Sequence, residues 1–301
     1  MNSLDMLNNC NLCYRQCNVN RNNNILGYCK AGKNLKVARA ALHLWEEPCV
    51  SGENGSGTVF FSHCNFSCVF CQNHQISQEH SGKEITIERL SEIFLELQAQ
   101  NANNINLVTP THYIPQIIEA IKISKNKGLS IPILYNTNGY DTLDSIKALR
   151  GFIDVYLPDF KYYDDKYAIK YSKIKNYREN LIPVLKEMYD QVGEAKFDKN
   201  GIILKGMIIR HLMLPSLLFD SKKVIDAIHE TFNNKVYISI MNQYTPMNQA
   251  HSFPEINKPL NPKHYDSLVD YALSIGVANG FIQEEGSSSK AFVPSFLNEG
   301  V

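Results

Sequence analysis

The chain has 301 residues, 30 basic and 30 acidic side chains and no formal net charge. That length can bury a large core and make one barrel-sized domain with a small appendage, while the balanced charge lacks the basic field that drives phosphate-backbone binding and so disfavours a nucleic-acid partner. No apolar run approaches the roughly 20 residues that span a bilayer and residues 1–8 show no basic start before an apolar stretch, so no membrane partner and a cytoplasmic location are expected. In a reducing compartment the 8 cysteines are better explained by metal or catalysis than by disulfides.

In chain order, residues 1–50 form a Cys-rich module containing Cys10-x2-Cys13-x3-Cys17-x11-Cys29, with Gly27 and Gly32 flanking the last cysteine. Four thiols with a paired start suit a closed tetrahedral zinc site or a second iron-sulfur cluster, and both readings stand. The segment has too little core to fold alone, so a metal would supply the missing stability. Cys49, isolated in Trp45-Glu46-Glu47-Pro48-Cys49, reads as a small buried hydrophobe.

Residues 51–301 alternate strand-like and helical patterns. Strands are predicted at 57–62, 104–110, 131–138, 153–160, 207–214, 236–241 and 280–284. Amphipathic helices fall between them, at 86–99, 113–125, 221–232 and 262–275, the third opened by Asp220 or Ser221 and the last by Asn261 before Pro262. Phe197-Asp-Lys-Asn-Gly201 reads as a turn or hairpin inserted before the fifth strand. Regular strand–helix succession means an α/β fold of parallel units, a (βα)6-type partial barrel whose sites lie at the carboxyl ends of the strands.

On the loop leaving the first of these strands lies Cys64-x3-Cys68-x2-Cys71, with Phe70 before the last cysteine. Three thiolates on one tight loop can hold three corners of an iron-sulfur cube and leave the fourth iron open. A zinc knuckle completed by His63 or His74 is the bland alternative, but it leaves the aromatic and the strand context unexplained.

This triplet, its aromatic and the upstream strand resemble the radical S-adenosylmethionine (SAM) superfamily, and within it proteins related to pyruvate formate-lyase activating enzymes, over roughly residues 57–285. The resemblance implies that Cys64, Cys68 and Cys71 ligate a [4Fe-4S] cluster whose fourth iron takes the amino and carboxylate groups of SAM. Reductive cleavage then yields methionine and a 5'-deoxyadenosyl radical that abstracts a substrate hydrogen. Phe70 is expected beside the adenine. Asn136-Thr137-Asn138-Gly139 resembles the Asp-Thr-Asn-Gly of the activases, Pro158-Asp159-Phe160-Lys161 their Asp-Leu-Lys, and Arg210 before an apolar run ending in Pro215 their fifth strand. Asn136, Asp159, Lys161 and Arg210 are therefore expected to contact SAM, unless these charges pair with one another across the barrel mouth.

Two departures stand out. The activases carry Gly-Gly-Glu after the second strand, where this chain has Val108-Thr109-Pro110-Thr111-His112, so that Thr109, Thr111 or His112 would take over the contact. Ser216 stands after Pro215, where glycine is usual. Extra clusters in some activases lie downstream of the triplet, whereas the second cysteine set here lies upstream. His211, inside a strand, reads as a hydrogen-bonded core histidine; Tyr162, Tyr163, Tyr167 and Tyr171 line a peptide groove or pack a helix; and the segments beginning at Gln243 and Gln283 end strands that could face the site. The functions in view are a glycyl-radical-enzyme activase with an electron donor such as flavodoxin or ferredoxin, a radical SAM enzyme acting on a small molecule or another peptide, and a non-catalytic iron-sulfur or zinc protein.

Overall fold

The structure, a computed structural model, describes residues 3–283 and 294–301. Its elements in order are β1 (Leu35–His43), α1 (Pro48–Ser51), β2 (Ser56–Phe61), α2 (His74–Ser77), β3 (Lys83–Ile85), α3 (Ile87–Ala99), β4 (Ile105–Val108), α4 (Ile114–Asn126), β5 (Ile133–Thr137) and α5 (Leu143–Ala148). There follow β6 (Val155–Pro158), α6 (Asp165–Ser172), α7 (Tyr177–Val192), β7 (Lys196–Phe197), β8 (Ile203–Leu212), α8 (Leu218–Phe232), β9 (Tyr237–Met241), α9 (Pro262–Ser274) and β10 (Gly280–Ile282).

One sheet runs β10-β9-β8-β6-β5-β4-β2-β1-β3. Every neighbour from β2 to β10 is parallel, and β1 and β3 add an antiparallel edge. Parallel neighbours need crossovers, and α3, α4, α5, α6 with α7, α8 and α9 supply them. Among the described residues β10 pairs only with β9, so the barrel is open. The central strands β4, β5, β6 and β9 are almost wholly buried because helices cover one face and the barrel interior the other, whereas the edge strands β3 and β10 are largely exposed.

The local signals hold at several joints. Thr86 caps α3 by accepting from the Arg89 amide, and Asn261 caps α9 by accepting from the Lys263 amide. The expected hairpin forms where β7 pairs antiparallel with β8. Asp220 and Ser221 do not open α8, which starts at Leu218 without a side-chain cap; the Asp220 carboxylate instead accepts from the amides of Tyr163 (3.0 Å) and Asp164 (2.9 Å) in the β6–α6 loop. Helices α5, α6 and α7 are absent from the predicted set, and α7 holds Pro183 in its interior, a residue that reads as a helix breaker. Cys49 is buried among Val50, Leu134, Val155 and Ile208, as a small hydrophobe would be.

β1 lies within the expected module of residues 1–50, yet it pairs with β2 from Val37↔Phe61 to His43↔Ser56 and so belongs to the main sheet. Ahead of it, the cysteine-bearing segment rests on loops at the carboxyl ends of the strands: the Tyr14 amide donates to the Tyr140 carbonyl (3.1 Å), the Thr142 amide to the Leu12 carbonyl (3.2 Å) and Gln116 Nε2 to the Lys33 carbonyl (2.7 Å). Residues 298 and 299 return to β1, through the Asn298 amide on Ala38 O and Glu299 O on the Ala40 amide.

Candidate active site

A cavity of about 480 Å³ opens at the carboxyl ends of the parallel strands. The loop after β2 contributes Cys64, Cys68, Phe70 and Cys71; Thr109 follows β4, Asn136 and Thr137 end β5, Asp159 and Lys161 follow β6, and Arg210 and Leu212 end β8. Met241 and Gln243–Thr245 close it beyond β9, and Gln283 beyond β10. Glu284–Gly286, also expected near the site, lie outside the described residues.

The thiol loop is pinned from several sides. Gln78 Nε2 and Asn248 Nδ2 donate to the Cys68 carbonyl (2.9 and 3.3 Å), and Gln72 Nε2 donates to Gln243 O (3.1 Å). Each sulfur has a polar neighbour: the Phe66 amide lies 3.3 Å and Asn138 Nδ2 3.6 Å from Cys64, Ser172 Oγ 3.0 Å from Cys68, and Ser77 Oγ 3.3 Å from Cys71. Burial first, then mutual repulsion, pushes the Cys64 thiol far up; burial raises Cys68 to about 12 despite nearby Lys161, and raises Cys71 despite the Ser77 hydroxyl. Such thiols keep their protons until a cation displaces them. Phe70 is buried edge-on against Tyr244, ring centroids 5.8 Å apart.

The charges at the strand ends are paired. Lys161 Nζ lies 2.7 Å from Asp159. Arg210 is gripped by two carboxylates that the sequence analysis did not single out: Nε donates to Glu47 Oε1 (2.9 Å), Nη2 to Glu47 Oε2 (2.6 Å), and Nη2 also to Glu46. Burial alone would push the Glu47 carboxyl up, but the guanidinium and its hydrogen bonds reverse this and leave it lowered. Burial likewise opposes the Arg210 charge, and Glu46 and Glu47 more than restore it. The charges are thus paired, but not with one another across the mouth as expected: Lys161 pairs with Asp159 on its own strand end, and Arg210 takes partners from the segment between β1 and α1.

Thr109 takes φ +57°, a left-handed conformation rare for a β-branched residue, within the stretch Val108–His112 that departs from Gly-Gly-Glu. Ser216 takes φ +66°, which explains why glycine is usual there. Thr111 does not line the cavity; its hydroxyl lies 3.2 Å from that of Thr137 inside a buried cluster completed by Tyr135 and Asp141. His112 also misses the cavity, because its Nε2 contacts Ser62 O (2.7 Å) and it faces the N-terminal cysteines. His211 is a core histidine, with Nδ1 on Phe160 O (2.7 Å). Tyr162 and Tyr171 are buried, bonded to Ser172 (2.8 Å) and Glu255 (2.7 Å), and Tyr167 stacks on Tyr171, so these rings pack α6.

Sequence reasoning also missed Ser172 and Asn138. Asn138 could have been found, since it sits in the same four-residue strand end as Asn136, but no local signal marks Ser172, which reaches Cys68 across 104 positions. Cys10, Cys13, Cys17 and Cys29 all line a second, enclosed cavity of about 10 Å³. Among the described residues, no three His, Cys, Asp or Glu side chains are drawn close enough to grip a single ion in either place.

An open parallel β/α barrel with a three-thiol loop at its carboxyl end defines a class of enzyme scaffold built around a metal cofactor. The radical SAM superfamily model matches residues 58–208, and the chain belongs to that superfamily, which uses a [4Fe-4S] cluster and SAM. The uncharacterized protein MJ0674 of Methanocaldococcus jannaschii is 31% identical over 281 residues, covering 89% of this chain and 75% of that one. The fold is similar to Streptococcus suis SuiB bound to precursor peptide SuiA (TM-score 0.51, 13% identity, 74% of this chain and 46% of that one). It is equally similar to SuiB bound to S-adenosylmethionine (TM-score 0.51, 14% identity, 74% and 48%), so the chain spans about half the length of these structures. No helix among the described residues is long and apolar enough to cross a membrane.

Proposed function

We propose that this radical SAM enzyme abstracts a hydrogen atom from a peptide segment of a protein substrate, as glycyl-radical-enzyme activases do. The observation that carries the reading is the convergence on one cavity of the triplet thiols and the activase-like strand ends Asn136, Asp159, Lys161 and Arg210. Cys64, Cys68 and Cys71 fit three corners of the cluster, because all three thiols open into that cavity and each has a polar partner for its sulfur. With SAM bound, the cluster supplies one-electron cleavage of a sulfonium carbon–sulfur bond.

The chain's own residues bind and orient. Phe70, braced by Tyr244, offers an apolar edge to the adenine. Thr109 and Asn136 present a hydroxyl and an amide, with Thr109 held in its strained backbone where Gly-Gly-Glu would stand. Asp159 fixes Lys161, and Glu46 with Glu47 fix Arg210, so Arg210 acts as a positioning residue for the Trp45–Glu47 segment as well as a cation at the mouth. Leu44 and Trp45, 54% and 59% exposed, give the rim an apolar lip that suits a peptide. A one-electron donor of the flavodoxin or ferredoxin type completes the scheme.

Anaerobic reconstitution with iron and sulfide followed by assay of dithionite-dependent 5'-deoxyadenosine release tests the first half; a fully loaded protein that cleaves no SAM overturns it. Incubation with glycyl radical enzymes tests the second, with a glycyl doublet in electron paramagnetic resonance expected on the partner. The replacement of Gly-Gly-Glu by strained Thr109 favours a second reading, a small-molecule or other peptide substrate under the same initiation, which SAM cleavage without any glycyl doublet would select.

A further inference from the structure

The four cysteines ahead of β1 lie outside the catalytic cavity and take no part in the scheme above. We propose that Cys10, Cys13, Cys17 and Cys29 hold a second, four-thiolate metal centre, and that this centre braces the back of the loop carrying Cys64 and Cys68. The second half of this inference rests on the reading of that loop as the cluster site; the first half does not.

Two tight turns set the four thiols around one cavity. In the first, the Cys10 amide donates to Val19 O (2.9 Å), the Asn18 amide to Cys10 O (3.1 Å) and the Gln16 amide to Cys13 O (3.0 Å), with Gln16 and Asn18 both left-handed. In the second, the Lys30 amide donates to Gly27 O (3.2 Å) and the Tyr28 amide lies 3.3 Å from Cys17 Sγ. Glycine is required at 27 because a Cβ there would come within 2.9 Å of the Cys17 sulfur. The turns close on a cavity walled by all four thiols.

A further feature of this wall calls for an anionic metal–thiolate group. Arg15 and Arg21 both line it, and among the described residues neither pairs with a carboxylate; Arg21 is fully buried with carbonyls as its close acceptors, at Gly32 (3.1 Å to Nε) and His112 (2.5 Å to Nη1). A buried cation without a counter-charge is costly. Four thiolates around a divalent ion, or around an oxidised [4Fe-4S] core, carry a net charge of about −2, which two arginines match. His112 lines the same wall as an uncharged side chain: its Nε2 donates to the Ser62 carbonyl at 2.7 Å and burial keeps the ring neutral, so the two arginines are the cations facing the thiols. Metal entry releases the four thiol protons to solvent and draws the side chains inward.

The brace is a set of three contacts on alternating residues of the catalytic loop: His63 Nδ1 on Cys29 O (3.0 Å), Arg15 Nε on Asn65 O (2.9 Å) and Tyr28 OH on Ser67 Oγ (2.9 Å). These flank Cys64 and lead into Cys68, so order in the four-thiol turns passes directly to the loop.

The test uses the full chain with Cys64→Ala, Cys68→Ala and Cys71→Ala combined, which removes the catalytic triplet and keeps the upstream thiols. After anaerobic purification, metal analysis is expected to give about one zinc or about four irons per chain, the two outcomes naming the metal. Neither metal above about a tenth per chain overturns the centre, whatever becomes of SAM cleavage. In the otherwise native chain, Cys17→Ser with Cys29→Ser should speed hydrogen exchange of amides 63–67 at least about tenfold while α8 and α9 keep their protection. Unchanged exchange at 63–67 overturns the brace, and circular dichroism like that of the native chain excludes global misfolding as the cause.

Discussion

Arg210→Met is the sharpest probe of how the site is held. The substitution keeps an apolar stem of similar length and leaves Glu46 and Glu47 beside each other, with the Asn106 amide on Glu46 (2.9 Å) and the Ser239 hydroxyl on Glu47 as donors that remain. Arg210 is 8% exposed and makes three bonds to the two carboxylates, so the loss is that of a buried ion pair with one partner removed, about 3–5 kcal/mol. At roughly 2–4 °C per kcal/mol for a large domain, the thermal midpoint should fall by about 6–20 °C at pH 7. The pH dependence supplies a second, independent sign. In the native protein the Glu47 carboxyl is held below its ordinary value, so its stabilisation is present above about pH 4.3 and lost as pH falls through the folded pKa. In the variant, burial is no longer offset by the guanidinium and raises the Glu47 carboxyl, so stability is lost as pH rises through its folded value and regained on acidification. The deficit should therefore shrink between pH 7 and 5, and replacing all three charges with apolar residues should restore most of the midpoint. Circular dichroism melts of metal-matched proteins measure this, and a deficit under about 1 kcal/mol, or one that widens towards pH 5, would refute the ion-pair account.

Ser172→Ala should shift the reduction potential of the bound cluster to more negative values, by about 59 mV if the lost bond to Cys68 (3.0 Å) is worth a factor of ten for one electron. Tyr162→Phe, one bond further out at 2.8 Å, should shift it less in the same direction, and a positive shift in either variant contradicts the assignment. Gly139→Ala forces a side chain into φ +77° with its Cβ 2.4 Å from Leu181 Cδ1, so destabilisation of about 1–3 kcal/mol is expected by chemical denaturation; an unchanged midpoint would count against the geometry of this turn. Burial holds the His211 imidazole down at about 4, so the folded state resists protonation and stability is lost as pH falls from about 6.5 to 4, on the order of 3 kcal/mol in all. His211→Gln should flatten that part of the stability profile, and an unaltered profile excludes His211 as its source.

Much of the scaffold was legible because it is written in local signals. The period of apolar residues, the caps at Thr86 and Asn261 and the turn before β8 act within a few positions, and each needs only its neighbours to form. Where signals conflict, the sequence misleads: Pro183 sits inside α7, and Asp220 spends its carboxylate on the β6–α6 loop instead of capping α8, because burying Leu181, Val184, Leu185 and Met188 against the sheet outweighs an interior proline. The cysteine triplet was legible for the same reason as the turns, since its spacing is a property of one loop.

What could not be read is the neutralisation of the site, because it is arranged across the chain. Glu47 meets Arg210 over 163 positions, and Ser172 meets Cys68 over 104; no spacing rule links such pairs. Yet their existence follows from charge. A guanidinium at the buried end of β8 needs a counter-ion, and the two that arrive come from a Glu-Glu-Pro segment whose proline opens α1 and whose Cys49 anchors it in the core. The segment that neutralises Arg210 thereby also sets Leu44 and Trp45 at the mouth of the cavity. In this barrel the counter-charge of a strand-end cation and the rim of the cavity are supplied by one segment, Leu44 to Cys49, so a change that repels Glu46 and Glu47 from Arg210 should alter the rim before it alters the thiol loop.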